Sequence, residues 1–458
     1  MATAQASAPH VKAVAQKHVG ASLSSAIHVA IDAAGLAHSK PGLTGMRSAE
    51  TEHEEGMGGC MYTRDEIEAL TGAKHLRYVN WLGQLSIPII DSTGRIIAVL
   101  GGMPRDPIGW KVVTDGAAKL FADHVADCCF TPDQLHHRRA QEPYPSISRG
   151  VSHGGGQTEP GELCNNAANT HVTDEMLQHE YFQHLAGFAN CLFAMFAPLL
   201  FAFYQAQMAL IAAWCPSLRW NFARSVFAAC TFNFGPHAIT VPHLDFGNLS
   251  WGWCAITALG DFDPDLGGHL ILWDLRLAIQ FLPGSTILIL SAIVCHSNLP
   301  VSTHERRYSF TQYTAGGLFR WIRNGYKTDE AFEKSATQAE RAGWAAEDLK
   351  RWEEGIAMYH TRIWVCLPPH ILPHRLACLP HYGNESDDLT AGLHTAYSCT
   401  AAQHFTHAGI VLSPTVNPHL ARYPRPVLGP RHFRLTAALA VVPNSSVADT
   451  VTASHAPT

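Results

Sequence analysis

His243 and Asp245 stand two residues apart, and on an extended backbone alternate side chains leave the same face. An imidazole and a carboxylate at this spacing can therefore converge on one ion. His296 follows 53 residues later, enough chain for several strands to fold back and deliver a third donor. Two histidines and one carboxylate suit Fe(II), covering one face of the ion and leaving three positions for other ligands. An HxD pair alone recurs by chance in a chain with 28 histidines, so its context matters. His296 follows PGSTILILSAIV, a turn leading into an apolar strand that places it at a barrel mouth.

Eleven residues beyond His296 come Arg307, Tyr308 and Ser309. By strand alternation Arg307 and Ser309 share a face. A guanidinium there can take a carboxylate bidentately while the hydroxyl adds a hydrogen bond. That donor pair fits the distal carboxylate of 2-oxoglutarate, which with O₂ would fill the three open iron positions. Arg306 points the other way in this register, and a one-residue slip would exchange the two arginines.

The elements around these residues are short and β-rich. VFAACTFNFG, GWCAITALG, GHLILWDL, LAIQFL, STILILSAIV and YSFTQYTAGG read as closely spaced strands, which suggests an antiparallel sandwich or barrel. Upstream, IPIIDSTGRIIAVLGG reads as two strands about a turn, and a helix is expected near 116–127. Two helices are expected at 173–188 and 198–214, the second with Pro198 in its first turn. A last helix over Asp329–Met358 starts from Thr328 as its N-cap, with Trp344 and Trp352 on its apolar side. The domain reading is a disordered 1–56, a region 57–150 packing on the core, helices plus core over 151–328, a C-terminal helix over 329–365, and a low-complexity, Pro- and His-rich 366–458 expected to be disordered.

Composition sets further bounds. A hydrophobic fraction of 47% allows a sizeable core, and a net charge of −6 means that any nucleic-acid contact must come from a local basic patch. Twelve cysteines without a CxxC pair form neither a disulfide framework nor a zinc pattern, which fits a reducing compartment. The stretch from Tyr181 to Leu218 lacks charged side chains, but Pro198, Gln205 and Gln207 argue for buried helices and against a membrane span.

HLDFGNLSWGWCAITALGDFDPDLGGHLILWDL through HSNLP and RRYSFTQYTAGGLFRW resembles the fungal branch of the TET/JBP 2-oxoglutarate oxygenases, which oxidise methylated or thymine bases in DNA. SRGVSHGGGQTEPG and SVFAACTFNFGP are similar to the same branch, so the resemblance covers roughly 80–360. It implies an α+β fold with a double-stranded β-helix (jelly-roll or cupin-like) core and flanking helices, and Fe(II), 2-oxoglutarate and O₂ as cofactors. It also implies a nuclear protein acting on a methylated base in DNA, 5-methylcytosine foremost, with methyladenine or thymine as alternatives. On that resemblance His243, Asp245 and His296 match the metal ligands, Arg307 the co-substrate arginine, and Ser309 its assisting hydroxyl. Asn248 matches a position that contacts the target base. Relatives that carry a base-contacting histidine eight residues after the arginine differ from this chain, which has Ala315 there.

Around the Gly-rich 154–156, His153 and Arg149 are candidates for substrate contact, and Arg138, Arg139, Arg320, Arg323 and Lys327 for phosphate contact. His269, Trp251 and Trp253 are expected to be structural. Two other function classes stay open: an Fe(II) oxygenase acting on a protein or small molecule, and an inactive nucleic-acid-binding relative.

Overall fold

The computed structural model describes residues 13–39, 42–46, 63, 65–67, 69, 76–135 and 144–361. The described strands are β1 (Ile27–His28), β2 (Arg77–Val79), β3 (Ile87–Ile90), β4 (Ile96–Gly102), β5 (Ser146–Ser152), β6 (Gly161–Glu162) and β7 (Ala229–Asn233). They continue with β8 (Cys254–Asp261), β9 (Leu270–Leu272), β10 (Leu277–Ile279), β11 (Thr286–Ile289), β12 (His296–Asn298) and β13 (Arg306–Tyr313). They build a main sheet in the order β1-β3-β4-β11-β8-β13-β7-β5-β6 and a second sheet in the order β12-β9-β10-β2.

From β8 onward the chain moves between the sheets. β8 lies in the main sheet, β9 and β10 in the second, β11 in the main, β12 in the second and β13 in the main. The apolar run before His296 shows how. Expected as one strand, it ends β11 at Ile289, and the Ile293 and Val294 amides then donate to the Leu290 carbonyl in a tight turn. That turn delivers His296 to the second sheet, where it opens β12.

The main sheet has two unlike faces. On one, Ile147, Phe232, Tyr308 and Phe310 pack against Phe121 of the helix Pro107–His124 and Phe182 of the helix Glu180–Phe196. The Phe182 and Phe310 rings meet edge to face at 5.2 Å, and burying such rings supplies much of the stability here. By alternation the other face of the same strands carries Ser146, Asn233, Ser309 and Arg307. Aromatic residues on one side fix the sheet against helices, and the polar residues are left facing inward.

Several sequence expectations change. Residues 57–150 do not merely pack on the core: they supply β3, β4 and most of β5 to the main sheet and β2 to the second. Within the N-terminal 1–56, expected to be disordered, the described residues form the helix Ala13–Ser22 and the strand β1, which pairs in parallel with β3. Val19, Leu23, Ile27 and Ala33 are buried in the main core, and that burial outweighs the segment's low aromatic content. The helix near 116–127 begins earlier, at Pro107, because Asp106 caps it by accepting from the Gly109 amide.

Where two helices were expected over 173–214 there are three, Ala167–Gln178, Glu180–Phe196 and Pro198–Trp214. His179 is extended, and its Nδ1 accepts from the Tyr181 amide, so it ends one helix and caps the next. The expected helix Asp329–Met358 starts from its Thr328 cap but breaks into Asp329–Ser335 and Gln338–Ile356. Thr337 and Glu340 form a capping box at the break, a stronger local preference than helix continuity. No helix among the described residues is long and apolar enough to cross a membrane. The tail from 366 lies outside the described residues.

Candidate active site

His243 and His296 are tied to each other through the backbone. The His243 amide donates to the His296 carbonyl at 3.1 Å, and the His296 amide donates back to the His243 carbonyl at 3.0 Å. Two residues on, the Asp245 amide donates to the Ser291 carbonyl at 2.8 Å. The HxD segment is thus laid along the turn and strand that carry His296, and the three side chains meet. Their ligand atoms all lie within 4.8 Å of one another. His243 Nε2 is 3.9 Å and His296 Nε2 is 4.0 Å from the Asp245 carboxylate oxygens.

Both imidazoles are oriented in the same way. Nδ1 of His243 lies 2.8 Å from the Val241 carbonyl and Nδ1 of His296 lies 2.9 Å from the Val294 carbonyl. A carbonyl only accepts, so each Nδ1 carries the proton and each Nε2 keeps its lone pair for a metal. The inner two-residue loop holding each ring makes the site preorganised. The donor set of two neutral imidazoles and one carboxylate fits Fe(II), as the sequence reading expects.

Arg307 lies on β13, with its backbone between β8 and the 236–238 segment. Only 1% of the residue is exposed. Its Nη1 donates to the Ala238 carbonyl, while Nε and Nη2 are buried with no hydrogen-bond partner among the described residues. The rings of Phe262 and Phe281 stand 5.8 and 5.9 Å from its Cζ. Burial pushes its pKa down to about 10, with the charge of Tyr144 acting in the opposite sense. A buried cation with two unused donors and, among the described residues, no carboxylate partner is costly unless an anion completes it. The residues therefore fit a carboxylate-bearing co-substrate.

The seat and the ligands are linked along the chain. Ala238, which holds Arg307, is five residues before His243, so the two backbones are at most about 17 Å apart. Ser309 is buried beside Arg307, and its Oγ accepts from Asn233 Nδ2 at 2.9 Å, which turns its own O–H elsewhere to donate. Further along the same face lies Tyr313, which hydrogen-bonds with Ser148 and Thr231. Its phenol pKa is raised, chiefly by burial, against the lowering effect of those two hydrogen bonds. The sequence reading missed Tyr313, although the alternation that joined Arg307 to Ser309 continues to it.

Asn248 is half-buried, and its amide donates to the Asp245 carbonyl at 2.8 Å. Its Nδ2 donates to Ser291 Oγ at 3.2 Å, and its backbone bridges to Ala315. The polar position and the position that lacks a histidine are therefore neighbours on one side of Asp245. His153 is nine-tenths buried, with Nδ1 3.1 Å from the Gly317 carbonyl, two residues past Ala315. It forms part of the wall of a cavity of about 220 Å³ between Gly154–Gly156 and Arg320, Asn324 and Lys327.

Arg149 is not available in that way. Its guanidinium donates to Thr170 and Thr173 and forms an ion pair with Asp174, so it anchors the helix Ala167–Gln178. Arg323 is likewise structural, paired with Asp348 and stacked 3.9 Å from the Trp344 ring. Arg138 and Arg139 lie outside the described residues. His269 is buried against the Tyr78 hydroxyl at 3.0 Å, and Trp251 and Trp253 lie in the core, as expected.

Neither a family model nor a curated protein matches the chain. Among solved structures, it is similar to NgTET1 in complex with 5mC DNA at 14% identity, over 53% of this chain and 82% of that one, with a TM-score of 0.31. A 2OG-Fe(II) oxygenase family oxidoreductase from Burkholderia pseudomallei is 18% identical over 40% of this chain and 76% of its own, TM-score 0.23. The rice dioxygenase for auxin oxidation is 14% identical over 55% and 78%, TM-score 0.23. At TM-scores this low the geometry of the site itself is what bears on function.

Proposed function

We propose that this protein is an Fe(II)/2-oxoglutarate-dependent dioxygenase that oxidises the methyl group of a modified DNA base, 5-methylcytosine foremost, with methyladenine or thymine as alternatives. One observation carries the reading: three preoriented metal donors, His296 on β12 with His243 and Asp245 laid beside it, occur together with a buried, incompletely partnered arginine on β13, in a chain that alternates between two sheets. That alternation is what a double-stranded β-helix requires.

His243, Asp245 and His296 would hold the iron through two Nε2 atoms and a carboxylate oxygen. Bound iron with O₂ supplies the oxidising power for a C–H bond, with 2-oxoglutarate as the electron donor. The chain's own work is positional. Val241 and Val294 fix the imidazole tautomers, Arg307 and Ser309 hold the distal carboxylate, and Phe262 and Phe281 keep water from the guanidinium. Asn248 sits where a substrate on the Asp245 side would meet a side-chain amide. A base must leave the duplex stack to reach such a site. Of the basic groups lining the His153 cavity, Arg320 is paired with Asp329, and Lys327 is the one this reading assigns to a backbone phosphate beside the flipped base.

The deciding experiment loads the protein with Fe(II) without oxygen, adds 2-oxoglutarate and O₂, and analyses bases from duplexes carrying methylcytosine, methyladenine or thymine by mass spectrometry. Hydroxymethylated base is expected from at least one. If no duplex is oxidised while 2-oxoglutarate is still converted to succinate, the DNA reading falls and an oxygenase of another substrate class stands.

A further inference from the structure

A stretch of chain two hundred residues before Asp245 lies against the loop that carries it. The Gly45 amide donates to the carbonyl of Phe246, the residue after Asp245, at 2.9 Å. Gly45 also approaches the backbone of Ala292, the residue after Ser291, so closely that an added Cβ would collide with the Ala292 carbonyl oxygen. On the other flank, a Cβ added at Gly316, the residue after Ala315, would collide with the Leu43 carbonyl oxygen. Backbone atoms cannot swing aside as side-chain ends do, so close approach demands glycine at both positions.

These flanks are the ones that hold the metal loop. The Asp245 amide donates to the Ser291 carbonyl at 2.8 Å, and the Gly316 amide donates to the Gly247 carbonyl at 2.9 Å. Residues 43–45 thus touch the loop and both of its neighbours. They are themselves anchored. The buried Ser250 hydroxyl donates to the Gly42 carbonyl, and the Ser39 amide and hydroxyl donate to the Thr44 carbonyl at 3.1 and 2.7 Å. Leu43 is buried in the main core. Upstream, Trp352 of the helix Gln338–Ile356 donates from Nε1 to the Ala34 carbonyl at 2.8 Å and stacks on the His38 ring.

Metal donors work only when held to within about 0.5 Å of their productive places, and groups behind a ligand set that precision. We propose that Gly45 is a positioning residue of the metal centre: the segment Gly42–Gly45 braces the loop Asp245–Gly247 and so aims the Asp245 carboxylate at a divalent cation. This rests on the iron reading and adds to it a brace drawn from outside the strands that carry the ligands. The signal was hidden in the sequence, where Gly42 and Gly45 stand in a segment with no catalytic motif.

The test uses the full chain, metal-free, titrated in the absence of oxygen with Fe(II) and separately with Co(II), whose visible absorption follows ligand geometry. Gly45→Ala forces the brace off Ala292. Ser250→Ala removes the hydroxyl that holds Gly42 and adds no atom. Gly35→Ala is the control, since its added Cβ meets nothing within 4 Å. Gly45→Ala is expected to bind Fe(II) about 10- to 100-fold more weakly, the scale of losing a group that orients a ligand. Ser250→Ala should weaken it about three- to tenfold, the scale of one hydrogen bond. Both should alter the Co(II) spectrum, while Gly35→Ala matches wild type. Urea unfolding of the metal-free proteins separates this from a purely structural brace, which would lower the midpoint and leave metal affinity and spectrum as in wild type. That result, or equal weakening in Gly35→Ala, overturns the proposal and leaves the iron reading in place. If Gly45→Ala does not fold, Ser250→Ala decides by the same measurements. A wild-type protein that binds neither metal overturns the iron reading and the proposal with it.

Discussion

The backbone amides and carbonyls of His243 and His296 bond to each other reciprocally, at 3.1 and 3.0 Å. The two imidazoles are consequently brought together by main-chain bonds that do not depend on the side chains. The metal site is in this sense built before a metal arrives.

Substituting a metal donor should therefore separate metal binding from folding. His296→Ala and Asp245→Ala are expected to weaken Fe(II) binding by at least about 100-fold, more than is typical of changing a residue that only hydrogen-bonds a ligand. The unfolding midpoint of the metal-free protein should move little, since the backbone bonds remain. Anaerobic Fe(II) titration and urea unfolding measure the two. Full oxygenase activity in either variant would exclude the iron assignment.

Arg307 should show the opposite balance. Its buried charge has no carboxylate partner among the described residues, and Arg307→Met removes that charge while filling most of the volume. The expected result is loss of 2-oxoglutarate binding together with a gain in stability of about 1–3 kcal/mol. Calorimetry with 2-oxoglutarate and urea unfolding check both; an Arg307→Met protein that is severely destabilised would mean the guanidinium is a structural pillar.

Asn248 and Ala315 lie side by side on the Asp245 flank. Asn248→Ala removes a side-chain amide without touching the ligands. Base oxidation is expected to fall about 10- to 100-fold, the effect of one or two hydrogen bonds. Succinate formation in the absence of DNA should persist. Parallel loss of both activities would place Asn248 in the metal site's support and not at the substrate.

Acid stability should carry the mark of His360. Burial lowers its pKa from 6.5 to about 4, so the unfolded chain binds this proton more readily than the folded one. The resulting stabilisation is complete above about pH 6.5 and is lost as pH falls towards 4. His360→Gln should flatten that part of the stability profile, measured by urea unfolding between pH 4 and 7. An unchanged slope would show that the histidine does not titrate with folding.

Much of the site was legible in one dimension because its logic is local. A strand's two-residue period puts His243 with Asp245 and Arg307 with Ser309 wherever those strands end up. Six β-rich runs from Ser225 to Leu318 correspond to strands, since apolar runs bounded by turn residues have few other stable forms. The helix breaks at His179 and Thr337 were present as capping residues, but periodicity alone overrode them.

What only the tertiary structure decided was partnership. Arg149 is basic and stands five residues before the Gly-rich 154–156, yet Asp174, on the helix Ala167–Gln178, took its charge. The N-terminal 13–39 found burial in a core assembled from strands far along the chain, which composition cannot foresee. Asn233 met Ser309 only because β7 and β13 pair in one register, and register is a property of paired strands. The sequence by itself determined which residues could hold an iron and a carboxylate. The fold decided which other side chains stand around them, because those contacts join residues that no short-range period relates.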